Sequence, residues 1–396
     1  MTLYSASWVV PVSRPPIAEG RVAVEGGRVT WVGRAGDPGE PRGAVNDLGP
    51  GVILPGLVNA HCHLELSHLA GLADRAPAGF VPWVEALMDK RGRTGADEAR
   101  AATRRAIRQL ESTGTVAVGD VSNALAHLDL LEESHLHAVV FYELLGWDPA
   151  RAEAILAGAE GVMSMASRPE LRTRVRIAAH APYSVSPELL AGIVSRGGPA
   201  AMHLAESPDE SRFLATGDGE WRSFLGRRGL GHVPFEPPGV SPIAHVDALG
   251  GLRQGMVAAH CVQVDEADCA LIARRGAHVA VCPRSNRSLR VGMAPVRRLL
   301  DAGVRLCLGT DSLASAPTLD LMADMALLQS QFPELAPEVI VRMATLGGAE
   351  ALGLPALGAI EPGRSADLAF VPAGASPPDP LRFLTSGTAQ AGPLPS

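Results

Sequence analysis

Lysine is almost missing from this 396-residue chain: Lys90 is the sole one, and arginine carries nearly all the positive charge. Cysteine is sparse, with five scattered residues, Cys62, Cys261, Cys269, Cys282 and Cys307, and no Cys-x-x-Cys pair. That excludes a disulfide framework and fits a reducing cytoplasm. Charge of one sign never gathers into long runs and the net charge is −7, so nucleic acid and anionic membrane are not expected partners. No apolar run approaches the ~20 residues that a membrane helix needs. The segment from Met1 to Gly20 lacks the basic start and apolar stretch of a signal peptide. These absences leave the expectation of a cytoplasmic protein whose partner is a small-molecule substrate, with a homodimer left open.

Apolar residues make up 46% and charged residues 19%, a balance that predicts a large buried core. The length suits a large barrel plus a minor domain. Strand-like segments recur through the middle: Leu54–His63, Thr115–Val121, Ala138–Leu144, Val175–His180, Ala200–His203, Met256–His260, His278–Cys282 and Arg305–Gly309. Amphipathic stretches such as Ala99–Glu111, Pro187–Ser195, Asp265–Arg275 and Pro295–Ala302 lie between them. Eight such units predict an α/β fold, a (β/α)8 TIM-type barrel over residues 54–355. A doubly wound sheet competes, but no glycine-rich dinucleotide fingerprint follows the first strand. The flanks read as β: Ala6–Val10, Arg21–Glu25 and Arg28–Val32, with a Gly26-Gly27 turn, and two strands around Pro362-Gly363. Residues 1–53 plus 356–396 are expected to form one small β-sandwich domain. The tail after Ala373 is rich in Pro, Gly and Ser and is expected to be loosely held.

His61-Cys62-His63 closes the first strand candidate. Side chains alternate along a strand, so the two histidines point the same way and offer half of a metal site. Barrel enzymes draw their working groups from C-terminal strand ends. His61, His63, His180, His203, His260 and Asp311 all fall at such ends, whereas His68, His127, His135, His137, His232, His245 and His278 do not and are read as surface, loop or core groups. His61, His63, His203 and Asp311 are the expected ligands of one divalent metal ion, Zn²⁺ by ligand type, with Fe²⁺ or Mn²⁺ as alternatives. Such an ion lowers the pKa of bound water from ~15.7 toward ~7. Glu206, three residues after His203, is placed to shuttle protons. His260 is assigned to the attacking water or the developing oxyanion, with a fifth ligand left open. His180 is read as a substrate or leaving-group contact. A second metal would need a bridging carboxylate, and the fourth strand ends in Ala178-Ala179-His180, far from Lys90. Cys62, Cys261 and Cys282 are read as small packing groups.

These stretches resemble the amidohydrolase superfamily, in the branch of chlorohydrolases and nucleobase or nucleoside deaminases. The resemblance rests on Leu54-Pro-Gly-Leu-Val-Asn-Ala-His-Cys-His63, His203-Leu-Ala-Glu206, His260-Cys-Val, Cys282-Pro-Arg-Ser-Asn286 and Leu308-Gly-Thr-Asp-Ser-Leu-Ala-Ser315. It covers nearly the whole chain. Within the branch, His63-Leu-Glu-Leu-Ser67, Phe80-Val-Pro-Trp-Val84 with Arg91 beyond, and His180-Ala-Pro-Tyr-Ser184 look closest to aminodeoxyfutalosine deaminases of the menaquinone pathway. Ala316 and Cys62 depart from the family's frequent Asn and Thr. The resemblance implies a hydrolase acting on non-peptide C–N bonds. Water attacks C6 of the purine, Glu206 protonates ring N1, Asp311 accepts a proton from the water, His260 steadies the oxygen, and ammonia leaves. It also implies substrate contacts. Arg284, Arg287 or Arg290 would pair with a substrate carboxylate, unless they form a solvated basic loop. Glu65 and Ser67 would touch ribose or base, unless Glu65 instead holds a ligand histidine. Asn286 belongs to the same set. Phe80 and Trp83 are read as core packing ahead of substrate stacking, and residues 207–252 as a lid or pocket wall. Deaminases of adenosine, S-adenosylhomocysteine, guanine or cytosine, hydrolases of cyclic amides or chlorotriazines, and a non-catalytic metal-binding barrel are the competing readings.

Overall fold

Short apolar runs rich in Val, Ala and Leu form the centre of the molecule, because strands buried on both faces need no polar alternation. The structure, a computed structural model, describes residues 1–166 and 171–395. Eight central strands follow in chain order: β1 (Leu57–Cys62), β2 (Thr115–Ser122), β3 (His137–Leu144), β4 (Arg174–Ala179), β5 (Ala201–Leu204), β6 (Val257–His260), β7 (His278–Val281) and β8 (Arg305–Leu308). They make two parallel four-stranded sheets, ordered β4-β3-β2-β1 and β5-β6-β7-β8. Main-chain hydrogen bonds also link the outer strands of the two sheets. His203 N donates to His180 O at 2.8 Å, and Asp311 N donates to His61 O at 3.0 Å.

Four helices matter for the site: α1 (Phe80–Arg91), α2 (Ala152–Ala166), α3 (Glu220–Arg227) and α4 (Pro283–Leu289). Their ends follow local chemistry. Pro283 occupies the first turn of α4, where its missing N–H costs nothing, and Arg290 closes it in the left-handed region. Residues 207–252 carry three helices, Pro208–Thr216, α3 and Pro242–Ala248. Trp221 and Phe224 of α3 pack with Phe80, Trp83, Trp147 and Tyr183 into one apolar cluster. Phe80 and Trp83 are therefore part of a packed layer, as the sequence suggested.

The expected first strand, Leu54–His63, is two strands. Gly51–Pro55 pairs antiparallel with the late strand Leu368–Pro372, and only then does β1 begin. Gly56 is the corner. Its N–H donates to Asp367 O at 2.9 Å, and a Cβ there would lie 2.2 Å from Val116 Cγ1. Only glycine permits that approach. The strand that meets the C-terminal part thus runs two residues past the expected boundary at residue 53. Gly20–Glu25 and Arg28–Arg34 form the predicted hairpin, with Gly26 and Gly27 at φ of 56° and 73°. Of the two strands expected around Pro362-Gly363, only Leu368–Pro372 forms, plus an isolated bridge from Arg28 to Ser365. The tail is not loose: Trp8 Nε1 donates to Pro377 O at 2.8 Å, and the helix Pro380–Leu384 buries Leu384 completely.

Candidate metal centre and active site

His61 and His63 stand at the end of β1 two residues apart and lie on one side of it, their ring centroids 5.0 Å apart. His203 of β5 lies 4.8 Å from His61 by the same measure. Register pairing places Leu204 of β5 level with His260 of β6, so His203 Nδ1 comes 3.2 Å from His260 Nε2. Asp311 follows β8 and brings Oδ1 to 3.5 Å from His63 Nε2 and 3.9 Å from His61 Nε2. Ligand atoms of His61, His63 and Asp311 lie within 4.8 Å of one another, as do those of His61, His203 and His260. Among the described residues eight non-glycine residues have positive φ, and Ala205, His260, Cys261 and Asp311 are four of them. Backbone held in that region is strained. Here it gathers where side chains must be aimed inward.

The group is deeply buried, and burial sets its charges. Burial, then the neighbouring imidazoles, push His61 well below the ordinary histidine range. Burial pushes His260 down to about 4, against the pull of Asp311. Neutral imidazoles are the ligand form. For Asp311 burial works to raise the carboxyl, but His63, His260 and the Ser285 hydroxyl outweigh it and hold it below the usual range. Ser285 and Ser315 both donate to Asp311 Oδ2, at 2.6 and 2.9 Å. Burial, aided by Asp311 and Glu210, raises Glu206 well above the carboxylate range, which favours its acid form.

The residues fit a divalent cation. Both ring nitrogens of His61 are buried with no hydrogen-bond partner among the described residues. An orphaned buried polar group costs roughly 1–3 kcal/mol, and a cation bound at this ring would remove that cost. Three imidazoles and one carboxylate are a donor set for zinc-type ions.

Several partners were not anticipated. Glu143 in β3 places Oε1 3.4 Å from His203 Nε2, and its Oε2 accepts from Asn123 Nδ2 at 2.9 Å. Burial opposes the Glu143 charge, but His180 and His203 overcome it and hold the carboxyl far below its usual range. The same carboxylate lifts His203 to about 9 against burial. The signal was an acid inside the apolar run Ala138–Leu144, next to its C-terminal end. Glu210 accepts the backbone N–H groups of Ala205 and Glu206 at 3.0 and 2.8 Å and fixes the turn that carries Glu206. Its signal was the helix-start pattern Ser207-Pro-Asp-Glu210. Asp120 pairs with His127 at 2.6 Å and accepts Leu64 N–H at 2.8 Å, holding the chain just beyond His63.

Among the expected substrate contacts, His180 stays at the site, its ring centroid 5.1 Å from His203. Arg284 does not face it. Its guanidinium is buried and bonds Asp324, Thr318 and Asp320 O, so every carboxylate contact it makes is internal. Glu65 is likewise consumed, by Arg91, Ser122 and the backbone of Asn123 and Ala124. It holds no ligand histidine; Glu143 stands beside His203 instead. Asn286 turns Oδ1 to His260 Nδ1 at 2.9 Å, orienting that ring. Ser67 is buried with no partner for its hydroxyl among the described residues. Arg287 and Arg290 are exposed. All five cysteines are free and buried.

Residues 52–389 match the amidohydrolase family. The chain belongs to that family. It is a hydrolase acting on C–N bonds, as the motifs implied. The chain is 32% identical over 381 residues to a 5-methylthioadenosine/S-adenosylhomocysteine deaminase of Moorella thermoacetica, covering 92% of this chain and 83% of that one. A protein of the same name from Natronomonas pharaonis is 33% identical over 356 residues, covering 86% and 77%. An aminofutalosine deaminase of Helicobacter pylori, crystallised with methylthio-coformycin, superposes with a TM-score of 0.84 at 22% identity, covering 99% of this chain and 97% of that one. An adenosine deaminase of Xanthomonas campestris with bound zinc gives 0.79 at 25% identity, covering 98% and 89%. Fold neighbours of this family are of TIM-barrel type. Among the described residues no helix is long and apolar enough to cross a membrane.

Proposed function

We propose that this amidohydrolase is a metal-dependent deaminase of an aminopurine nucleoside, acting on aminodeoxyfutalosine in the cytoplasm as a step toward menaquinone. The two four-stranded sheets are read as halves of one closed (β/α)8 barrel, with a small β domain from residues 1–53 plus 356–396. His61, His63, His203 and Asp311 would hold the ion, with zinc favoured by the donor set.

One observation carries the reading: Glu206 is a buried carboxyl in the ligand cluster, with Oε1 3.6 Å from His260 Nε2, and its burial favours the acid form. Removing an amino group from C6 of a purine needs a proton at ring N1, because that makes C6 electrophilic. A carboxyl in its acid form, raised by burial beside other carboxylates, is suited to donate it. His61, His63, His203 and Asp311 would hold a divalent ion, whose chemistry there would be to activate a water. Asp311, kept ionised by its imidazole and hydroxyl neighbours, accepts the proton that water loses. His260, neutral and oriented by Asn286, steadies the oxygen as charge develops on it. The proton taken by Asp311 then passes to the departing nitrogen, ammonia leaves as the C6–N bond breaks, and the remaining hydroxyl proton returns to Glu206 as C6=O forms.

A second reading, 5-methylthioadenosine/S-adenosylhomocysteine deamination, is favoured by the relatives of that name at 32% and 33% identity. The test is ammonia release by zinc-loaded protein from aminodeoxyfutalosine, 5-methylthioadenosine, S-adenosylhomocysteine, adenosine, guanine and cytosine. The highest kcat/KM is expected on aminodeoxyfutalosine. A higher value on either thio-nucleoside would transfer the assignment to the second reading, and no release from any of them would remove the deaminase reading.

A further inference from the structure

The motif Cys282-Pro-Arg-Ser-Asn286 reaches the ligand cluster through its last two residues, while Arg284 turns away from it. Arg284 is buried, and so is its partner Asp324 in the helix Leu321–Gln331. One carboxylate holds the arginine twice. Asp324 Oδ1 accepts the backbone N–H of Arg284 at 3.2 Å, and Oδ2 accepts Nε at 3.0 Å. The rest of the guanidinium is occupied as well. Nη1 donates to Thr318 Oγ1 at 2.7 Å, and Nη2 donates to Thr318 O and Asp320 O at 2.8 and 2.9 Å. A buried ion pair seldom adds stability over an apolar pair of the same volume, because both charges lose their hydration. What a planar, fully bonded guanidinium does supply is a fixed geometry.

Helix α4 needs such a constraint. It has seven residues, and Cys282 before it makes no side-chain capping bond. A helix this short is marginal by itself. Asp324 caps its first turn from the neighbouring helix, where a negative charge is favoured. In the same turn Ser285 Oγ donates to Asp311 Oδ2 at 2.6 Å, and Asn286 Oδ1 lies 2.9 Å from His260 Nδ1. Successive helical side chains diverge by ~100°, so residues 284, 285 and 286 spread over roughly 200° and pull in three directions. Rotating or sliding α4 to ease one contact strains the other two. The same clamp ties down the segment after Asp311. Thr318 and Asp320 belong to that segment, and Ser315 within it donates to Asp311 Oδ2 at 2.9 Å. Arg284 therefore joins the two stretches of chain that supply both hydroxyl donors to Asp311.

We propose that Arg284 and Asp324 are positioning residues for the reaction: they set the rotation of α4 and, through Ser285 and Asn286, hold the Asp311 carboxylate and the His260 ring in their working orientations. The inference deepens the deaminase reading and rests on it for the tasks of Asp311 and His260. A clamp that acts through Ser285 and Asn286 differs from a merely structural ion pair in one measurable respect. Its loss overlaps with the loss of those two side chains, whereas an independent structural effect adds to it.

The main variant is Arg284→Met/Asp324→Leu, which removes both charges together and leaves no unpaired ion in the core. Its urea midpoint should stay near that of the wild type. Zinc affinity, measured by competition with a chromophoric chelator, should fall about 10–100-fold, the usual cost of losing the support behind a ligand. At saturating zinc, kcat for ammonia release from the best nucleoside of the panel should fall about tenfold or more while KM stays within roughly threefold. Ser285→Ala and Asn286→Ala complete the cycles. In the wild-type background Ser285→Ala should weaken zinc binding and Asn286→Ala should lower kcat, each about tenfold. In the Arg284→Met/Asp324→Leu background each effect should shrink to roughly threefold or less. A folded double variant with wild-type zinc affinity and kcat, or undiminished losses in both backgrounds, would overturn the positioning role. If the double variant does not fold, Arg284→Lys, which keeps the charge and loses the fork, enters the same cycles under the same criteria. The zinc cycle with Ser285→Ala needs no turnover. Release of ammonia from no nucleoside would thus end the deaminase reading, and zinc affinity alone would still decide the clamp.

Discussion

Glu206 illustrates how one carboxyl acquires a role from its surroundings. Burial raises it, and Asp311 and Glu210 raise it further, while His203 pulls the other way. Asp311 is equally buried but has imidazoles and two hydroxyl donors against it, and stays ionised. Two acids in one pocket are thus shifted in opposite directions, which separates proton donor from proton acceptor. Glu206→Gln keeps the shape and removes the acid. Turnover is expected to fall about 10²–10⁴-fold, the usual worth of a positioned acid or base, with metal content unchanged. Normal turnover, measured by ammonia release, would remove the shuttle role. The histidines and Asp311 were legible because strand ends can be read from apolar runs. Glu143 and Asn123 were not, because their function lies in which distant atom they meet; Glu210 acts locally, on the N–H groups of Ala205 and Glu206, and only its helix-start pattern marked it. Arg284 shows the converse: its motif is clear, yet Asp324, forty positions away, takes its guanidinium.

At the level of elements, the corner at Gly56 joins the terminal sheet to β1 and so aims His61 and His63. An added methyl would sit 2.2 Å from Val116 Cγ1. Gly56→Ala is expected to destabilise the fold by ~1–3 kcal/mol through overpacking, read as a lower urea midpoint. An unchanged midpoint would deny the close approach. The continuous run Leu54–His63 hid this break, since a strand that changes partners keeps its apolar pattern. The pair Asp120–His127 ties β2 to the chain after His63. Burial works to lower His127, but the Asp120 carboxylate and its hydrogen bond prevail and raise it above the ordinary value. A raised histidine contributes stability that is fully present below its unfolded pKa of ~6.5 and is lost as pH rises through the folded pKa. The unfolding free energy of the wild type should therefore fall relative to that of His127→Gln between pH 6 and the alkaline side of the raised pKa. Parallel stability curves over that window would show that the pair carries no such linkage.

For the molecule as a whole, the eight-unit alternation was readable because each strand is short, apolar and bounded by a helix of 3.6 periodicity. The ordered tail was not readable. Its Pro and Gly content resembles a loose end, but Leu384 packs into the main core and the Trp8–Pro377 bond fastens the tail to a terminal strand. Everything the fold positions converges on one place, where residues from β1, β5, β6 and the end of β8 surround a cluster of orphaned imidazole nitrogens. The most direct test is metal content after chelation and zinc titration, measured by mass spectrometry on wild type and on the His61→Ala/His63→Ala double variant. One equivalent in the wild type, and none retained by a variant that still unfolds cooperatively, is the expected result. A full equivalent in the double variant, or none in the wild type, would contradict the assignment of a single cation to these side chains.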